Sequence, residues 1–215
     1  MKQVRGFTLV EVAIVLVIVG LLVSTFLAPL SAQRDLKDYS QVRTDLAQIQ
    51  EALNGFAAAN GRLPCPDTDG DGAENLLCSS ANTSSTGGNL PWVTLGVQGS
   101  DPWNRPYQYR VNGAFTATFS LTTVGATTGI LKVYTDNTLV TTLANNVPAV
   151  IYSSGKNGAV QPPVSLDELE NRTTAGTTFD RNFVSHDFSP TFDDVVVWVS
   201  PNILFNRMVA AGRLP

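Results

Sequence analysis

Apolar residues fall into three patterns along the chain. From Val12 to Ala32 they form a 21-residue stretch without a charged side chain. At about 1.5 Å per residue, a helix of that length crosses a hydrocarbon core of about 30 Å, so the stretch predicts a transmembrane helix. Beyond Pro29, Leu36, Tyr39, Val42, Leu46, Ile49, Leu53 and Phe56 recur at spacings of 3, 3, 4, 3, 4 and 3. Such a row is one apolar stripe on an amphipathic helix, read as core packing against a sheet and not as a ligand site. Asn60-Gly61 ahead of Pro64 supplies a helix stop, so one helix is predicted from Phe7 to Ala59. Its length at the standard rise is about 80 Å.

The third pattern has a period of two. Phe115, Ala117, Phe119 and Leu121 alternate with Thr116, Thr118 and Ser120, the signature of a half-buried strand. Tyr107 to Val111, Ile130 to Thr135, Val147 to Ser153 and Val195 to Val199 are further candidates, divided by turns such as Asn112-Gly113 and Asn157-Gly158. Four or five antiparallel strands would cover the second half of the helix. Ser79 to Asn89 and Asp167 to Pro190 lack periodicity and are predicted surface loops. Ser200-Pro201 followed by Asn202 to Ala211 and Gly212 predicts a short C-terminal helix with an N-cap, a first-turn proline and a glycine stop.

Composition narrows the function classes. The 215 residues carry 14 Lys+Arg against 18 Asp+Glu, a net charge of -4, with 43% hydrophobic and 15% charged residues. That suits one modest domain with a membrane segment. No basic run is present to hold phosphates, so nucleic acid is not expected as a partner. Cys65, Cys78 and the single His186 cannot supply a zinc ligand set, which leaves oxygen as the donor for any metal.

Lys2 and Arg5 precede the apolar stretch, while Arg34, Asp35, Lys37 and Asp38 mix signs after it. The positive-inside rule puts the short leader in the cytoplasm and exports the rest. A candidate cleavage site, Gly6-Phe7, precedes the apolar stretch instead of following it as in a secretory signal peptide; the stretch would survive processing. Glu11 lies at the start of the apolar helix, where an ionised acid costs about 2.5 to 3.5 kcal/mol by insertion scales. Cleavage would free the Phe7 amine, and a neighbouring subunit's ammonium could then pair with Glu11 in trans. The alternative is a glutamate at headgroup level in an ordinary single-pass anchor.

Arg5-Gly6-Phe7-Thr8-Leu9-Val10-Glu11 with its apolar continuation closely resembles the processing and methylation segment of type IV pilins and type II secretion pseudopilins. The resemblance implies cleavage between Gly6 and Phe7 by prepilin peptidase, N-methylation of Phe7, and packing of the helix in a filament core with Glu11 as the assembly glutamate. Gly20 falls where that family often has glycine. Its usual helix-kinking proline would fall at Ala28, with Pro29 one residue later.

Pro64 to Glu74 places Asp67, Asp69 and Asp71 at the first, third and fifth positions of a calcium-type loop, with Gly72 at the sixth. Position twelve is Cys78, so the missing ligand would be Glu74 or a residue from elsewhere in the fold. Hard oxygen ligands suit Ca²⁺; a polar turn needing no ion is the alternative. Cys65 and Cys78 bracket the loop, and an exported location favours a disulfide over two free thiols.

Asp101-Pro102-Trp103-Asn104-Arg105-Pro106-Tyr107-Gln108-Tyr109 and Tyr152-Ser153-Ser154-Gly155-Lys156-Asn157-Gly158 are similar to two segments of the type II secretion major pseudopilin. Asp193-Asp194 resembles its acidic element ahead of the last strand. In that family this region binds calcium through carboxylates and loop carbonyls. Here Asn157 replaces the loop aspartate and 34 residues separate Gly158 from Asp193, so only Asp193 and Asp194 carry over as ligand candidates.

Ser153 with Lys156, and His186 with Asp187, make no supported catalytic set, and no enzyme activity is expected. The expected fold is α+β and pilin-like, a long N-terminal helix packed on a C-terminal antiparallel sheet head. Its parts are a cleaved leader over 1–6, a transmembrane and filament-core helix over 7–32, its exported amphipathic half over 33–60, and a globular head over 61–215. The expected role is a structural subunit of a type II secretion pseudopilus that assembles from the inner membrane to promote protein export. Partners implied by the resemblance are prepilin peptidase, other pilin-like subunits, an inner-membrane assembly platform, and lipid before assembly, with the head in the periplasm. The alternatives are a minor type IV pilin of a surface or DNA-uptake filament with a binding head, and a membrane-anchored enzyme or binding module.

Overall fold

The computed structural model describes residues 6–75, 78, 85–120, 131–160, 163, 165–172 and 181–214, without the side chains of 24–32, 85 and 86. Helix α1 runs from Leu9 to Asn60. It belongs to two compact units, residues 1–40 and 41–215.

In the first unit the described side chains of the uncharged apolar stretch extend to Val23. Among the described residues no helix is long and apolar enough to cross a membrane. The side chains of 24–32, which complete the predicted span, lie outside the description, as does the leader up to Arg5.

The second unit is α+β. Its elements in order are β1 (Ser85–Asn89), α2 (Trp92–Leu95), β2 (Gln108–Asn112), β3 (Lys132–Tyr134), β4 (Thr142–Asn145), β5 (Ala149–Ser153), α3 (Leu166–Asn171), β6 (Asn182–Val184), β7 (Val195–Trp198) and α4 (Pro201–Ala210). The main sheet has the order β1-β2-β5-β7 and is antiparallel throughout. Val42, Leu46, Ile49, Leu53 and Ala57 of α1 are fully buried in the main core with Tyr107, Tyr109, Val111 and Ile151. Leu204 and Met208, one turn apart on α4, join the same core.

Polar links fix α1 on the sheet. The Tyr107 hydroxyl donates to buried Asp45 at 3.0 Å, and the Gln50 amide donates to the Trp198 carbonyl at 2.7 Å. Burial pushes the Tyr107 hydroxyl well above its ordinary value, and the bond to Asp45 adds to the shift. It therefore remains a donor at any physiological pH.

The structure departs from the sequence expectations in four places. Leu36 is exposed and Phe56 only half-buried, so the stripe ends on Ala57. Phe115 closes a short 3-10 turn capped by the Asn112 side chain, and 116–120 are not a strand. The apparent alternation instead points Phe115 and Phe119 into one aromatic contact, with ring centroids 4.8 Å apart, and Phe205 against both; Leu121 lies outside the described residues. A second sheet, β4-β3-β6, pairs β3 with β6 in parallel, where an all-antiparallel arrangement was expected. Two expected loops also contain regular elements, β1 in one and α3 with β6 in the other. β1 eluded the pattern because its residues are polar or glycine. Gly87 lies under the Arg110 side chain, which would have to move to admit a Cβ there.

Candidate functional site

The N-terminal segment is the first candidate. Gly6, Phe7 and Thr8 precede α1 and are exposed, Phe7 by 84%. A Cβ at Gly6 or at Gly20 would meet no atom within 4 Å. The chain's own packing therefore does not require either glycine, although an interior helical glycine such as Gly20 weakens a helix by about 1 kcal/mol. From Leu9 to Val23 apolar side chains stand exposed on every face of the helix. A helix apolar all round is covered by lipid or by other helices.

Glu11 closes a local motif. Its backbone N–H donates to the Thr8 hydroxyl at 3.3 Å, and its carboxylate accepts from the Thr8 N–H and hydroxyl at 3.3 Å each. This is a capping box, Thr-x-x-Glu, which satisfies orphan donors of the first turn. The Thr-x-x-Glu spacing is legible in the sequence. Both carboxylate bonds are long and come from neutral donors.

The second candidate is the acidic loop after α1. Gly61, at φ +74°, turns the chain and donates to the Ala57 carbonyl at 2.8 Å. Cys65 and Cys78 form a disulfide with Cα atoms 5.8 Å apart. Backbone bonds in both directions between Asp67 and Asn89 pin the loop to β1. Buried Asp67 organises the turn, accepting from the Asp69 and Gly70 N–H groups at 3.1 and 2.6 Å and from Gly72 at 3.0 Å. Carboxylate oxygens of Asp67, Asp69 and Asp71 all lie within 4.8 Å of one another, and Asp69 and Asp71 are exposed. The Asn75 amide, followed by the Asp71 N–H, holds the Asp69 carboxyl below its ordinary range.

Glu74 is held elsewhere. Arg62 binds it through two N–H groups at 2.7 and 2.8 Å, and the Cys65 N–H donates at 3.0 Å. Burial pushes its carboxyl up, but the Arg62 and Cys65 bonds outweigh that and hold it below the ordinary 4.5. A depressed carboxyl adds stability above its unfolded value, and the contribution is lost as pH falls through the folded one. Glu74→Gln is expected to cost about 1 kcal/mol at neutral pH and nothing in acid. Urea titrations at both pH values check this, and an unchanged neutral midpoint would contradict the pairing.

The third candidate lies between β5, α3 and β7. Asp193 and Asp194 meet Glu168, a residue the sequence analysis did not single out, with carboxylate oxygens within 4.8 Å and all three residues buried. Asn157 is central to the cluster. Its backbone N–H donates to Asp193 at 2.9 Å and its side-chain amide to Glu168 at 2.8 Å. Asp194 accepts from Asn171 at 3.0 Å, and burial raises its carboxyl to about 7. Gly155, at φ +60°, has no room for a side chain because a Cβ would stand 2.2 Å from Asp193. Arg172 pairs with Glu168 at 3.4 Å and with Asp194 at 3.5 Å, its side chain only 9% exposed. Arg172 thus brings a cation to two of the three carboxylates, while Asp193 Oδ1 and Asp194 Oδ1 are buried without a hydrogen-bond partner among the described residues.

The residues from Asp101 to Pro106 support this region. Buried Asp101 accepts from the Trp103 and Arg105 N–H groups at 3.1 and 2.9 Å and from the Ser153 hydroxyl at 2.7 Å. Ser153 thus serves the turn, while His186 stacks on Phe192 and meets Asp167 at 3.3 Å.

Comparison with known proteins bears on both ends of this description. Residues 1–27 match the prokaryotic N-terminal methylation motif, and residues 30–130 match the family described as type II secretion system, protein G. Type II secretion system core protein G of Aeromonas hydrophila is 30% identical over 116 residues, 53% of this chain and 78% of the relative. The Vibrio cholerae protein of that name is 30% identical over 130 residues, 59% of this chain and 83% of the relative. That of Klebsiella pneumoniae is 32% identical over 111 residues, half of this chain and 75% of the relative. No solved structure matches the chain. With likeness of this degree spanning three quarters or more of each of these relatives, the chain belongs to the type II secretion system protein G family of pseudopilins.

Proposed function

We propose that the chain is a structural subunit of a type II secretion pseudopilus, made as an inner-membrane precursor with its head in the periplasm. Prepilin peptidase cuts between Gly6 and Phe7, Phe7 is N-methylated, and the first half of α1 passes from lipid into the filament interior on an inner-membrane assembly platform. The observation that carries this is the exposed apolar surface of Leu9–Val23 directly after an accessible Gly6-Phe7 step. Glu11 then meets the Phe7 ammonium of a neighbouring subunit, neutralising two charges that would otherwise be costly in an apolar interior. The subunit performs no catalytic step; growth of the filament is its contribution to export. Mass analysis of the chain recovered from membranes is expected to find an N-methylated Phe7 at its start. Retention of residues 1–6 would count against the proposal.

Calcium goes with the loop of Asp67, Asp69 and Asp71. Three hard carboxylates on a tight turn, two of them exposed, suit that ion. Glu74 is committed to Arg62, so the remaining ligands are water and backbone oxygen. Titration calorimetry of the full chain in detergent with millimolar calcium chloride is expected to give heat that Asp69→Asn combined with Asp71→Asn removes. No heat from the parent chain would contradict this assignment.

A further inference from the structure

We propose that Arg172 is the resident cation of the Glu168–Asp193–Asp194 cradle, filling the place a divalent ion would take, so that this part of the head folds without calcium. The guanidinium is surrounded by oxygen. One terminal nitrogen lies 2.8 Å from Asn157 Oδ1, 3.4 Å from the Ser154 carbonyl, 3.4 Å from Glu168 and 3.5 Å from Asp194. The other donates to the Gly158 and Val160 carbonyls at 3.3 Å each. Carboxylate, amide and main-chain carbonyl oxygens are the donor types of a hard cation, and here they meet the two terminal nitrogens of an arginine side chain.

Two details fit an arginine better than a metal. Asn157 accepts from Arg172 through its oxygen while donating to Glu168 through its nitrogen. An aspartate at that position would have no N–H for Glu168 and would repel it. The neighbouring carbonyls are also taken by a guanidinium, since Arg105 donates to the Gly155 and Lys156 oxygens. Two arginines thus hold five carbonyls of the turn from Ser154 to Val160, which a metal would otherwise draw together. Calcium needs six to eight oxygens at about 2.3 to 2.6 Å; it could assemble them here only by displacing Arg172, an expulsion that leaves a second cation beside it.

The test is thermal unfolding of the full chain in detergent micelles, followed by tryptophan fluorescence. Asp69 and Asp71 are both changed to Asn so that the exposed loop contributes nothing. With Arg172 present, the melting temperature is expected to be the same in millimolar calcium chloride and in EGTA. Arg172→Ala is expected to lower it by about 5 °C in EGTA, with calcium restoring most of the loss and Asp194→Asn abolishing that rescue. Should Arg172→Ala be too unstable to melt, Arg172→Gln, which keeps two N–H donors, is measured in the same way. A calcium-induced rise with Arg172 intact that disappears on Asp194→Asn overturns the proposal. So does an Arg172→Ala chain that melts like its parent in both solutions.

Discussion

Replacing Glu11 by Ala is expected to leave cleavage after Gly6 intact and to reduce incorporation into filaments about a hundredfold. The magnitude follows from the cost of leaving the neighbour's Phe7 ammonium unpaired in an apolar interior, about 2.5 to 3.5 kcal/mol, at 1.4 kcal/mol per tenfold in association. Glu11→Gln separates the two roles open to this residue. Glutamine can close the same capping box with Thr8 but carries no charge to meet a neighbour's ammonium. If charge pairing governs assembly, both variants fail in sheared-filament preparations. Wild-type incorporation of Glu11→Gln would reduce Glu11 to the helix cap seen in its contacts with Thr8.

The second large effect concerns the disulfide. Closing a loop of this size is worth about 3 kcal/mol in the chain-entropy model. Changing Cys65 and Cys78 together to Ser is therefore expected to lower the melting temperature by roughly 6 to 12 °C for a chain of this size. The Cys65 side stays anchored through Arg62, Glu74 and the Asp67–Asn89 bridge. Calorimetric melts of both chains check the prediction. Equal melting temperatures would mean that the loop is held by those other contacts alone.

What the sequence disclosed followed the range of the interactions involved. The α1 stripe, the acidic turn and the C-terminal helix arise within a few residues, so spacing and stop signals were enough to locate them. Thr8 and Glu11 belong to that local class as well, since a capping box is legible in the Thr-x-x-Glu spacing alone. Ser165, whose hydroxyl accepts from the Glu168 N–H ahead of an acidic first turn, was a legible helix start just before an expected loop. By contrast, β1 consists of polar and glycine residues whose strand state depends on Arg110 and Asp67 across the sheet. Glu168 meets Asp193 and Arg172 meets Asp194 only because α3 packs beside β6. Nothing in their own stretch of sequence announces that meeting.

The central claim is that this chain serves protein export by assembling as a pseudopilin. Its most direct test is the culture-supernatant proteome of a deletion strain complemented with the wild-type chain or with Glu11→Ala, with periplasmic fractions measured in parallel. Exported proteins trapped in the periplasm and released by the wild-type chain but not by Glu11→Ala is the result predicted. Secretion unchanged by the deletion would contradict it and favour a surface or DNA-uptake filament.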